Sequence, residues 1–149
     1  MEYDTEIIIP STFGQIIPLS LVTPTLTTNA TYQFEVNNTK KEFIRSIKLN
    51  ELVLDIVSPQ GETFSFINKL DVYISSPNYS EKKVAFKYNV PSTVGGQIIC
   101  DLSDIDLQEF IKDETFSLRI AVDTDETIPQ DITVNIHMKF FVDARLKKS

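Results

Sequence analysis

The stretch TFSLRIAVDTDETIPQDITVNIHMKFFVDA, residues 115–144, decides the fold class. Phe116, Leu118, Ile120 and Val122 alternate with Thr115, Ser117, Arg119 and Ala121. After a polar break, Ile132, Val134, Ile136, Met138, Phe140 and Val142 alternate with Thr133, Asn135, His137, Lys139 and Asp143. A period of two sends successive side chains to opposite faces of a pleated strand, and β-branched and aromatic residues suit such a half-buried surface. The stretch therefore reads as two strands with a turn between them, Pro129 ending one element before Ile132 begins the next.

The same period recurs at Tyr32, Phe34 and Val36, at Leu70, Val72 and Ile74, at Val84, Phe86, Tyr88 and Val90, and at Ile98, Cys100 and Leu102. In IKLNELVLDIV, residues 47–57, the apolar parity flips between Leu49 and Leu52, which predicts a β-bulge near Asn50 and Glu51. Val53 and Val57 lie on the other parity, so this strand is expected to be covered on both sides. Only SDIDLQEFIKD, residues 103–113, carries a helical spacing: Leu107, Phe110 and Ile111 fall at i, i+3 and i+4, with Ser103 or Asp104 available as cap. The expectation is an all-β chain, a two-sheet antiparallel β-sandwich of Ig-like or jelly-roll type, with one short helix near residues 104–112.

At 149 residues the chain fits a single domain spanning 1–149. A formal charge of −7 opposes nucleic acid and anionic lipid, both of which demand clustered Lys and Arg. A single cysteine, Cys100, rules out an internal disulfide and a Cys-based zinc cage, and its apolar parity predicts a buried, inert thiol. The start, MEYDTEIIIP, has neither the basic nor the apolar region of a signal peptide, and no apolar run is long enough to span a bilayer.

No catalytic motif is present: His137, the one histidine, sits on the outward parity with no GxSxG or HExxH spacing in the chain. No enzyme and no cofactor are expected. Asp101, Asp104, Asp123 and Asp125 are the secondary candidates for a metal, since loops at a sandwich end can supply Ca²⁺ with oxygens, although the EF-hand spacing is absent. Tyr73 and Phe141 point outward from their strands and Tyr79 falls in a loop, which makes these three the candidate partner-binding residues. Were Tyr73 and Phe141 neighbours across strands, they would form one apolar outer patch.

LNELVLDIVSPQGETFSFINKLDVYISS, DLSDIDLQEFIKDETFSLRIAVDT and ITVNIHMKFFVDA together resemble small β-sandwich outer-membrane lipoproteins of the Bacteroidota type, over about residues 47–143. That resemblance implies a cell-envelope, outer-membrane or extracellular location and a lipid anchor outside this chain as its sole link to a membrane. It also implies that the Thr- and Pro-rich segment through about residue 30 includes a tether. The functional expectation is a non-enzymatic, envelope-associated interaction or structural module, an accessory subunit of a larger assembly that binds a protein partner through its outer face or a strand edge. The alternative is a carbohydrate- or calcium-dependent binding module using the loops at one end.

Overall fold

The computed structural model describes residues 1–145. Its strands are β1 (Glu2–Ile9), β2 (Leu19–Val22), β3 (Leu26–Thr27), β4 (Ile44–Ser58), β5 (Ile67–Ser76), β6 (Tyr79–Lys87), β7 (Gln97–Ile99), β8 (Asp101–Leu102), β9 (Thr115–Thr124) and β10 (Ile132–Ala144). Two α-helices, α1 (Ala30–Val36) and α2 (Gln108–Lys112), and a 3-10 turn at Lys41–Phe43 complete the described residues. One sheet runs β1-β10-β4-β7; the other runs β2-β9-β5-β6-β8, with β3 also beside β9. All of these pairings are antiparallel.

Setting aside the two-residue strands β3 and β8, the pairs β5–β6, β4–β7, β2–β9 and β1–β10 are nested one outside another. The chain is thus one long hairpin rolled up, with β4–β10 and β5–β9 as the contacts that closure creates. This is the jelly-roll order, in which the first strand pairs with the last, and it separates the fold from the Ig-like alternative. Rolling gathers residues 10–18, 59–66, 88–96 and 125–131 at one end of the sandwich. The helices and residues 23–43 and 103–114 lie at the other.

The alternating residues of the opening stretch do face the core: Phe116, Leu118, Ile120, Val122, Ile132, Val134, Ile136, Met138 and Phe140 are all buried. Tyr3, Phe116 and Phe140 meet edge-on, with ring centroids 5.3, 5.8 and 6.2 Å apart, and this trio joins the two sheets. The bulge is where the parity flip puts it, since Lys139 faces Glu51 and Phe140 faces Leu49, leaving Asn50 over. β4 skips twice more against β10, at Arg45 and at Val57. Coverage of β4 on both sides holds for one residue only: Val53 is buried, in register with His137 and Ile99, whereas Val57 is 51% exposed.

Three expectations need correction. Tyr32, Phe34 and Val36 form no strand; they lie in α1, where Ala30 and Phe34, four residues apart, are the buried pair, and Tyr32 and Val36 face outward. The helix expected near 104–112 is present as α2, but only over its last five residues and without the expected cap: Asp104 adopts φ 52°, Leu107 is the N-cap residue, and the Gln108 N–H donates to Asp106 at 3.1 Å. Leu107, Phe110 and Ile111 are nonetheless buried as their spacing requires.

The N-terminal segment read as a tether is woven into both sheets instead. Its threonines do the fastening: Thr12 exchanges two hydrogen bonds with the Ile128 backbone, Thr23 two with Leu118, and the Thr28 hydroxyl donates to the Asp113 carbonyl at 2.8 Å. A buried hydroxyl is stable only when bonded, so these residues are joints between the segment and the later strands.

Candidate functional site

Tyr73 and Phe141 do not meet. Tyr73 is on β5 and Phe141 on β10, so they stand on the outer faces of opposite sheets, and the single apolar patch is overturned by topology. The Tyr73 ring lies under the Arg119 guanidinium, 4.3 Å from its centroid, and Arg119 is clamped by both carboxylate oxygens of Glu81 at 2.7 and 3.0 Å. The hydrogen bond to Arg119 holds the Glu81 carboxyl below its ordinary range. Beside them Tyr88 donates to Asp71 at 2.7 Å and Lys83 donates to the Tyr88 hydroxyl at 3.0 Å. The outer face of the β5 sheet is therefore laced by its own charges. Phe141 is 63% exposed, opposite Lys48.

Tyr79 begins β6, and its ring packs edge-on against Phe110 of α2 at 5.9 Å. It lines a cleft of about 650 Å³ with Lys82, Asp106, Gln108 and Lys112.

The four aspartates are dispersed. Asp101 lies in β8 opposite Phe86, Asp104 is paired with Lys48 at 3.1 Å, and Asp123 accepts from Asn68 at 3.1 Å. Asp125, whose backbone N–H donates to Phe66, lies at the other end of the sandwich from the first two. Among the described residues no three His, Cys, Asp or Glu side chains come together as a metal would require. Cys100 is buried, and burial pushes its thiol up to about 12, with Asp101 adding to the effect.

His137 stands in the middle of β10 on the outer face, and β1 brings two acids to it. Asp4 approaches Nδ1 at 3.0 Å and Glu2 approaches Nε2 at 3.4 Å. The hydrogen bond to Asp4 raises the imidazole above its ordinary value, against a smaller opposing effect of burial. Burial alone would raise Asp4, but the bonds from His137 and Asn135 outweigh it and leave the carboxyl low. Composition and motif gave no reason to look at β1.

β1 is the outermost strand of its sheet. Met1 and Phe140 exchange both backbone hydrogen bonds, at 3.1 and 2.7 Å, and the register continues without a shift from Glu2–Lys139 to Ile9–Ile132. In an antiparallel ladder such doubly bonded pairs alternate with pairs that share none. Tyr3, Thr5, Ile7 and Ile9 therefore bond β10, and the N–H and C=O groups of Glu2, Asp4, Glu6 and Ile8 aim at the open edge. Among the described residues these groups meet no backbone or side-chain partner. The other open edges are shorter or interrupted: β2 has four residues, β8 leaves only residues 79–83 of β6 uncovered, and beside the three-residue β7 the edge of β4 is broken at Ile47, whose N–H donates to Asp106 and whose carbonyl accepts from Leu107. The signal for this edge is present in EYDTEIII, where Tyr3, Ile7 and Ile9 alternate with Glu2, Asp4, Glu6 and Ile8. What a sequence lacks is the strand's place in the sheet.

No family model matches the chain, and no curated protein matches it. Among solved structures it is similar to a chain of "Structure of Turnip Yellow Mosaic Virus at 100 K", with 12% identity over 100% of this chain and 97% of that one and a TM-score of 0.28. It is likewise similar to a chain of Desmodium yellow mottle tymovirus, with 8% identity over 100% and 90% of the two chains and a TM-score of 0.26.

Proposed function

We propose that this chain is a non-enzymatic protein-interaction module of the cell envelope, an accessory subunit that docks a partner on the free edge of β1. The observation that carries the reading is the row of unbonded backbone groups from Glu2 to Ile8, the longest open edge among the described residues. An exposed edge is a template for one more strand, because each added hydrogen bond satisfies a donor and an acceptor at once. The envelope location rests on the resemblance carried by residues 47–143.

Amide hydrogen exchange tests the docking mode. In the presence of detergent-solubilised envelope, the amides of Glu2, Asp4, Glu6 and Ile8 are expected to slow, while exposed turn amides such as those of Ser92 and Thr93 stay fast. Replacing Glu6 with Pro removes one edge donor at a site where the sheet itself loses no bond, and should abolish the protection without unfolding the protein. A partner that binds while the four edge amides exchange as before would refute the reading.

A further inference from the structure

Resting on the reading of β1 as the docking edge, we infer that its occupant is a basic extended segment of a protein, with Lys or Arg at alternate positions and β-branched or aromatic residues between them. The residues whose backbone faces the open edge are the same ones whose side chains face outward: Glu2, Asp4, Glu6 and Ile8, all exposed. Three of the four are acids. Directly opposed side chains on neighbouring strands stand about 4.5–5.5 Å apart, so an incoming strand must place three residues against Glu2, Asp4 and Glu6 and an apolar one against Ile8.

Behind the edge the outer face adds two acids and one lysine. In register across the outer face, the row of Glu2 continues to Lys139 and Glu51, and the row of Glu6 to Asn135 and Asp55. His137 is already taken up by Asp4 and Glu2, whereas Glu6 has no ion pair among the described residues. Residues of the incoming strand between its cations would point inward beside Tyr3, Thr5 and Ile7, at the margin of the core, where apolar side chains are favoured.

A second copy of the chain fits badly. In antiparallel self-pairing of β1, outward residues oppose outward residues, and both registers that join more than five residues of each strand set acid against acid: Asp4 on Glu6 in one, Glu6 on Glu6 in the other. Like charges directly opposite are destabilising, so the acids that invite a cationic strand also keep this edge from pairing with itself.

Three capped peptides of one length provide the test: Val-Val-Lys-Val-Lys-Val-Lys and its Glu and Thr counterparts, N-methylated at the second, fourth and sixth residues, whose N–H groups face away from β1, so that they cannot stack on themselves. NMR would follow hydrogen exchange at Glu2, Asp4, Glu6 and Ile8 at low and at high salt. The Lys peptide is expected to slow the four amides, with an affinity that falls as salt rises, and the Glu peptide to leave them unchanged. Glu6→Lys should weaken the Lys peptide about tenfold, one attractive cross-strand pair becoming repulsive, at an unchanged melting temperature. Equal protection by the Thr or Glu peptide would overturn the basic occupant and leave the docking edge standing. Failure of all three on a folded protein would overturn both. Protection of the same amides by dimerisation of the chain alone would replace the basic occupant with a second copy.

Discussion

At the scale of single residues, two titratable groups make opposite predictions. Cys100 has its thiol raised to about 12 by burial, so a thiol reagent should label it only when the fold opens. Labelling followed against denaturant should coincide with global unfolding, and fast labelling of the native protein would contradict its burial. His137 and Asp4 are instead a surface pair. The folded pKa of His137 is raised, so its stabilisation is complete below the unfolded value, about 6.5, and is lost as pH climbs through the folded one. The folded pKa of Asp4 is lowered, so its share is present above the unfolded value and is lost as pH falls through the folded one. The pair thus works in the window between about pH 4 and about pH 6.5, and with Asp4 58% exposed its worth stays below about 1 kcal/mol. The melting-temperature gap between wild type and His137→Gln should be widest near pH 5.5 and close by about pH 8.5; a gap independent of pH would show that the ring acts by packing alone. Parity made the outward position of His137 legible. Its two acids were hidden, because Glu2 and Asp4 lie more than 130 residues away and meet it only through the β1–β10 register.

At the scale of elements, period two was legible wherever one face is buried and failed where a short segment fits two periods. Residues 30–36 show this: Tyr32, Phe34 and Val36 satisfy a strand, Ala30 and Phe34 a helical turn, and burial against the end of the sandwich chose the second. Truncating Phe34 to Ala should therefore cost about 3–5 kcal/mol in denaturant melts, whereas Tyr32→Ala and Val36→Ala should stay within about 0.5 kcal/mol. Comparable losses at all three would restore the strand. The bulge offers a sharper contrast. Asn50 is the unpaired residue, and its deletion leaves Leu49, Glu51 and Leu52 in simple alternation, so both ends of β4 keep their faces. Deletion of Val53, in the regular part of β4, would turn one flank of the strand inside out. The first variant is expected to fold with a modest loss of melting temperature and the second not to fold, as circular dichroism and gel filtration would report. Equal tolerance of both would mean that register is not set by the buried face.

At the scale of the whole molecule, the class was readable and the winding was not, since alternation assigns faces to strands but never neighbours. For that reason Tyr73 and Phe141 had equal standing in the sequence and fell on opposite sheets, while β1, the strand with the open edge, lay inside a segment that the resemblance implied to include a tether. The nested pairing gives that segment a different weight: β1 covers one side of β10 and buries Tyr3, Ile7 and Ile9, and the Tyr3 hydroxyl donates to the Thr28 carbonyl at 2.7 Å. A tether can be cut without consequence. Removal of residues 1–9 should instead empty three core positions, each worth about 2–5 kcal/mol, and leave the long strand β10 as a new apolar edge. Their sum rivals the whole stability of an ordinary domain, about 5–15 kcal/mol, so the truncated chain should be unfolded or bind a hydrophobic dye at 25 °C. A peptide of residues 1–9 added back in excess should raise its melting temperature in proportion to the logarithm of peptide concentration, because a ligand specific for the folded state stabilises it by mass action. An intact, dye-silent truncation would mean that β10 does not need its neighbour, and the edge at which a partner strand is proposed to dock would then belong to β10 rather than to β1.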